Sequence, residues 1–496
     1  MIAEHFDVLV VGAGISGIAA GYHLQQNCPD RSYAILEGRP SLGGTWDLFR
    51  YPGVRSDSDM HTLGYSFRPW TEAKSIADGP SILQYVKDTA AEFGIDKQMR
   101  FDHQVGAASW SSNTTTWTLS VQVGPKGEQQ PVEYTCNYLF MCSGYYSYTG
   151  GYEPEFAGAD QFAGQVVHPQ KWPEHLNYKG KRVVVIGSGA TAMTLVPAMA
   201  KDADHVTMLQ RSPTYVVSRP SIDPVANWLR KVLPDRVAYN ITRWKNSTMG
   251  EFFYKQTRSK PEKVKGQLLG LIRKELPDEM VDEHFTPAYN PWDQRLCLIP
   301  DSDLFTALNS DAASVVTAEI DTFTETGIKL TNGEHLDADI IVTATGLQLV
   351  TIGDMDFSVD GEPVDFSKTW TYKGIAYSDV PNLASSFGYI NASWTLRADI
   401  TCEWVCRLLN HMAASGTTQA TPRLRPGDAD MAERPFIDDF SSGYMQRMMP
   451  LLPRQGDQAP WLNPQRYSAD KKLIAQAPIV DGAMRFTSAA RVTTSA

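Results

Sequence analysis

Two glycine clusters carry the most specific chemistry in the sequence. Gly12-x-Gly14-x-x-Gly17 follows a short apolar run at 7–11 and opens a stretch of small and apolar residues at 18–24. In that setting the first glycine permits a tight turn and the second lets backbone approach a pyrophosphate. The third brings helix onto strand, and the helix N-terminus faces the phosphates. Ser16 lies inside the turn. Glu37 ends the next apolar run, about 20 residues after Gly17. A carboxylate there suits an unmodified ribose hydroxyl pair, as in FAD or NAD. Gly187-Ser188-Gly189-Ala190-Thr191-Ala192 repeats the pattern after a second β-branched run, with alanine in the third place. Its next run ends in Gln210-Arg211-Ser212 and carries no acid. A carboxylate would repel a 2′-phosphate and an arginine pairs with it, so this second site reads as NADPH. Two sites of opposite 2′ preference imply hydride flow from NADPH to FAD. None of the six cysteines forms C-x-x-C, which excludes a disulfide reductase and leaves oxygen, another carrier or a non-thiol substrate as the acceptor.

Two further segments narrow the chemistry. Gly43-Gly44-Thr45-Trp46 begins a run of small and aromatic residues that suits a flavin wall, with Asp57 downstream at its reactive edge. Phe162-x-Gly164-x-x-x-His168-x-x-x-Trp172-Pro173 precedes the second glycine cluster. With these strings the chain resembles the class B flavoprotein monooxygenases. Trp172-Pro173 resembles the type I Baeyer–Villiger branch rather than the N- and S-oxygenating branch. The strings GGTWDLFRYPG, RSDSDMHTLG, YNPWDQRLCL and GYINASWTL are similar to the mycobacterial ethionamide monooxygenase subgroup. The resemblance implies NADPH- and O2-dependent conversion of ketones to esters or lactones through a C4a-peroxyflavin, with sulfoxidation as a side activity. Heteroatom oxygenation without ketone activity is the alternative. It also implies an arginine beside the flavin, placed at Arg295 within YNPWDQRLCL, and an aspartate beside that arginine, placed at Asp57. Gly44, Thr45, Trp46 and the backbone at Val105 carry over as FAD contacts. His168 and the Ala344-Thr345-Gly346 turn carry over as structural links between nucleotide domains. Read without the resemblance, Arg295 equally suits an interdomain salt bridge, and the Ser-Asp-Ser-Asp run around Asp57 a helix N-cap.

The elements that must position these groups are two strand–turn–helix–strand units. A doubly wound α/β fold with two Rossmann-like dinucleotide-binding domains follows. The expected division is an FAD domain from 1–150 and 335–496, and an NADP domain from 151–334 with a helical subdomain near 220–290. At about 150 residues per domain the 496 residues give a prior of about three domains. From 230 to 275 twelve basic residues face four acidic ones, a net of +8 that leaves −19 for the rest of a chain whose total is −11. That segment leaves a solvated helix face and a patch for anionic lipid or a partner both open. The acidic total argues against nucleic acid as a partner; the resemblance implies a small-molecule ketone or sulfide as substrate. No metal-ligand spacing occurs. Cys402 and Cys406 read as buried packing. The first residues lack a basic leader, and no apolar run approaches the length of a membrane span, so a cytoplasmic chain is expected, with membrane association open through the basic segment. The small, polar stretch 487–496 is expected to fray.

Overall fold

A computed structural model describes residues 3–438 and 440–488. Strand Glu4–Val11 runs parallel to Tyr33–Leu36 on one side and to the second half of Gln130–Met141 on the other. Helix Ile15–Asn27 crosses between the first two. Side chains alternate along this strand as pleat geometry requires. Val8 and Val10 join Ile18, Leu24 and Trp404 under the helices, whereas Leu9 and Val11 face Trp110, Trp117 and Leu119 of the antiparallel hairpin His103–Ser111/Thr116–Val123. The first sheet is therefore covered on both faces. Cys402 and Cys406, on helix Trp394–Ser415, are buried in this core as packing residues.

The second sheet is wholly parallel, in the order Ala313–Thr317, His205–Gln210, Arg182–Ile186, Ile340–Thr343, Gln165–Val167. Strand Ile340–Thr343 lies beyond residue 335, where the sequence reading returns the chain to the first unit, yet it pairs with Arg182–Ile186 in the second sheet. The return comes instead at the Ala344-Thr345-Gly346 turn. There Leu347–Leu349 pairs antiparallel with Tyr146–Gly151, so the outgoing and returning linkers form one ribbon. Thr345 Oγ1 donates to the Tyr152 carbonyl at 2.5 Å and Tyr152 N–H to the Gly346 carbonyl at 3.0 Å. The buried His168 ring lies against Gly151 and Gly346 at the same crossing.

Helices Pro224–Val232, Asp235–Ser259, Pro261–Ile272 and Asp278–His284 follow the second unit's glycine cluster. At the C-terminal end, Met484–Thr487 pairs with Gln419–Pro422, so Thr487 is held opposite Gln419 rather than frayed. The rest of that expectation, from 489 on, lies outside the described residues.

Candidate active site

Both glycine loops open onto one cavity of about 1120 Å³. Gly12 sits at φ +104°, and a β-carbon there would stand 2.6 Å from the Cys142 carbonyl oxygen on the neighbouring strand end. Gly187 repeats the arrangement at φ +130°, with 2.4 Å to the Ala344 carbonyl oxygen. In each unit the turn is pressed against the end of the parallel strand on the side opposite the crossover, and only glycine fits. Gly17 lies behind the wall: a β-carbon on it would be 1.9 Å from the Gly12 carbonyl oxygen. Ala192, its counterpart, is fully buried and tolerates its methyl. Gly14 faces Gly44 across a narrow slot, where a β-carbon on Gly44 would be 3.0 Å from the Gly14 Cα.

Around the first loop, Glu37 is buried. Its Oε2 accepts from Ala13 N–H at 2.8 Å and its Oε1 from Arg39 N–H at 3.0 Å. Burial holds its carboxyl above the ordinary glutamate range despite these two donors. Each carboxylate oxygen retains a second acceptor direction, and Glu37 lines the cavity. Ser16 is buried too, and its Oγ accepts from Trp394 Nε1 at 2.7 Å. Thr45 and Trp46 open the short helix Thr45–Leu48 beside the slot. Val105 lines the cavity where the strand His103–Ser111 bulges at Gly106, a device that re-aims a strand next to a site.

Around the second loop, Ser188, Gly189, Ala190 and Thr191 line the cavity with Arg211 and Ser212. Arg211 is exposed, and no carboxylate stands within 4 Å of it among the described residues. Ser188 Oγ donates to the Ser212 carbonyl at 3.4 Å, tying the glycine turn to the strand end.

Asp57 and Arg295, 238 residues apart, meet between the two loops. Nη2 donates to Asp57 Oδ2 at 2.6 Å and Nε to the same oxygen at 3.1 Å. Both side chains line the cavity, and each keeps 32% of its surface open. The N-cap of the next helix, Met60–Leu63, is Asp59, whose Oδ1 accepts from Thr62 N–H at 3.1 Å. Asp57 is thereby free for the arginine. The Asp57 charge raises the Arg295 guanidinium well above its ordinary pKa, reinforced by Tyr444 and Tyr145. Burial pushes the Tyr444 hydroxyl up to about 12 although Arg295 pulls it down.

Sequence reasoning missed the aromatic wall. Tyr145 stacks on Trp394 with centroids 5.2 Å apart, and both line the cavity with Tyr389 and Tyr444. Arg447 lies over the Tyr152 ring at 3.6 Å. Tyr145 follows a parallel strand's C-terminal end, where ligands of doubly wound sheets bind, so that position was readable. Tyr444 and Arg447 carried no local signal. Arg55 also lines the cavity; it is ion-paired with Asp303 and donates to the Met193 carbonyl at 3.3 Å. Among the described residues no cluster of three or more His, Cys, Asp or Glu could hold a metal, and no helix is long and apolar enough to cross a membrane.

A flavin-binding monooxygenase-like family model matches residues 60–286, and an NAD(P)-binding Rossmann-like model matches 10–78. The chain is 52% identical to the FAD-containing monooxygenase EthA of Mycobacterium tuberculosis over 487 residues, 98% of each chain. It is 47% identical to the probable FAD-binding monooxygenase AlmA of Acinetobacter baylyi, covering 97% of this chain and 96% of that one. The chain belongs to the flavin-binding monooxygenase-like family. Among solved structures, oxidized steroid monooxygenase bound to NADP superposes with a TM-score of 0.77 at 21% identity, covering 98% of this chain and all of that one. Cyclohexanone monooxygenase in an open crystal structure gives 0.76 at 18%, with the same coverage. These two likenesses establish the two-unit fold of this family member. Together with the family they make it a flavin-dependent monooxygenase.

Proposed function

We propose that this monooxygenase uses FAD, NADPH and O2 to convert ketones to esters or lactones, with oxygenation of sulfides as a side activity. One oxygen atom of O2 enters the product and the other leaves as water, with NADPH supplying the two electrons. The observation that carries the reading is the Asp57–Arg295 pair, facing a cavity that both glycine loops share.

The residues present fit the two nucleotides. The slot between Gly14 and Gly44 has no side chain to fill it, so backbone can close on a pyrophosphate. Glu37 offers its remaining acceptor directions to a ribose diol, with Ser16, Thr45, Trp46 and Val105 along the rest of that wall. Gly187, Ser188, Gly189, Ala190 and Thr191 form the second cradle, with Arg211 and Ser212 placed for a 2′-phosphate. On this reading residues 1–150 and those after the 344–346 turn make the flavin unit, and the stretch between makes the NADP unit. Bound FAD supplies the chemistry that accepts a hydride from NADPH and transfers oxygen to substrate. Arg295 then holds a permanent positive charge at the point where negative charge develops, worth most in a site that excludes water. Asp57 fixes the guanidinium's orientation through the doubly contacted Oδ2. Tyr145, Trp394 and Tyr389 supply the apolar wall that keeps water out.

Feeding cyclic, linear and aryl ketones with NADPH in air, and measuring esters by gas chromatography, tests the reading. Wild type is expected to yield esters. Arg295→Ala is expected to keep oxidising NADPH and to lose ester formation by about 10²-fold or more. Normal ester yield in the variant overturns the role of Arg295. Sulfoxide or hydrogen peroxide as the sole wild-type product overturns the ketone chemistry.

A further inference from the structure

Helix Asp235–Ser259 is inside out. Its buried side carries Tyr239, Thr242 and Arg243. Arg243 donates to the Thr62 carbonyl at 2.9 Å, to the Gly64 carbonyl at 2.7 Å and to Asp399 at 3.1 Å. The opposite side, at spacings of 4, 3 and 8 residues, carries Val237, Ile241, Trp244 and Phe252. These spacings fall on one helical stripe. Trp244 is 69% exposed and Phe252 62%. The adjoining helix Pro224–Val232 continues the surface with Val225, Trp228 and Val232, and Trp228 is 60% exposed. Scattered exposed apolar residues need no explanation, but a continuous stripe over two helices that ends in tryptophan and phenylalanine does.

Charge decides what covers it. Lys231 and Arg236 flank the stripe, and Lys74 pairs by backbone with Ile222 at its edge. All three are exposed, and among the described residues none has a carboxylate within 4 Å. Of the nearby acids, Asp223 is held by Lys245 at 2.9 Å and Glu251 by Lys255 at 2.8 Å; Asp235 in the first turn is exposed, as are Glu72 and Asp301 on the Lys74 side. With Arg243, Lys245, Lys255 and Arg258 ion-paired, Lys231 and Arg236 outnumber Asp235 on the two helices; a two-fold pairing with a second copy would set this surplus against itself, whereas anionic headgroups neutralise it. We propose that this two-helix face docks on an anionic lipid bilayer. Trp228, Trp244 and Phe252 enter the headgroup boundary, and Lys74, Lys231 and Arg236 meet lipid phosphates.

Flotation of the full-length, flavin-loaded protein tests this. Vesicles of phosphatidylcholine alone are compared with an equal mixture of phosphatidylcholine and phosphatidylglycerol. The protein is expected to float with the mixed vesicles, to stay behind with the neutral ones, and to be released by about 0.5 M salt. The triple variant Trp228→Ser/Trp244→Ser/Phe252→Ser is expected to lose about tenfold or more in partitioning while keeping flavin content and melting temperature. Lys231→Glu/Arg236→Glu is expected to abolish the preference for anionic vesicles with the fold intact. Wild type that does not float with mixed vesicles overturns the proposal, as does a triple variant that floats equally well. Sedimentation showing an oligomer that only the triple variant loses, without vesicle binding, assigns the face to a contact between copies and also overturns it.

Discussion

Gly14 and Gly189 hold the same place in the two glycine loops and almost the same backbone, φ −81°, ψ −166° against φ −79°, ψ −179°. Their surroundings differ. Gly14 faces Gly44 across a slot, and its helix is buried from Ser16 to Gly21. Gly189 is exposed, and nothing lies within 4 Å of where a β-carbon would be. The acceptor acid Glu37 is buried and tied to two backbone donors, whereas Arg211 stands exposed. On the proposed function one motif serves two kinds of occupancy. The first loop is walled on both sides, as a resident cofactor needs. The second is open, as a reactant that exchanges each cycle needs.

Matched substitutions at Gly14 and Gly189 test this contrast without confounding backbone strain. Gly14→Val fills the slot and is expected to cut bound flavin by about 10²-fold, read from the visible absorbance of the purified protein. Gly189→Val is expected to retain flavin and to raise KM for NADPH by about tenfold or less. Equal flavin loss in both variants would erase the distinction between closed and open loops. Next in size, Arg211→Ala is expected to raise KM for NADPH by about 10- to 100-fold and to leave NADH unchanged. Parallel shifts with both cofactors would remove the 2′-phosphate from its role. Glu37→Gln sharpens the first site. Because burial raises the Glu37 carboxyl, the wild type should begin to release flavin on acidification above the ordinary glutamate range. The glutamine variant should bind roughly tenfold more weakly with a flat dependence over that interval. Flavin titrations across pH decide between a sloped wild type with a flat variant and two parallel curves.

What was legible in the chain follows from how far each feature reaches. A strand, a glycine turn and a helix are dictated within about 30 residues, so both cradles and their acidic or basic strand ends were readable directly. The Asp57–Arg295 pair spans 238 residues, and no local spacing brings such residues together; only family resemblance pointed to it. Strand Ile340–Thr343 shows why the boundary at 335 moved. A four-residue apolar run announces a buried strand but not which parallel sheet receives it, since both sheets demand the same residue types. Thr487 illustrates the converse case. Its small, polar neighbours suggest a loose end, yet the pairing with Gln419 is supplied from elsewhere in the chain. Tyr444 reaches Arg295 from a segment with no periodic pattern, and only the tertiary arrangement shows it.

The smallest expected effect concerns the ribbon that joins the two units. His168 lies buried against Gly151 and Gly346, and burial lowers its pKa. The folded protein therefore refuses a proton that the unfolded chain accepts near the ordinary histidine value of 6.5. Where the unfolded state binds more protons, stability rises with pH. The His168 contribution should thus be complete above about pH 6.5 and decline as pH falls from there toward the folded-state pKa. Relative to His168→Gln, the wild type is expected to lose up to about 1 kcal/mol of unfolding free energy between pH 7.5 and pH 5.5. Chemical denaturation of both proteins at the two pH values measures it. A difference that stays constant would mean that the ribbon accepts a protonated imidazole, and that the link between the closed and open units is looser than the buried ring implies.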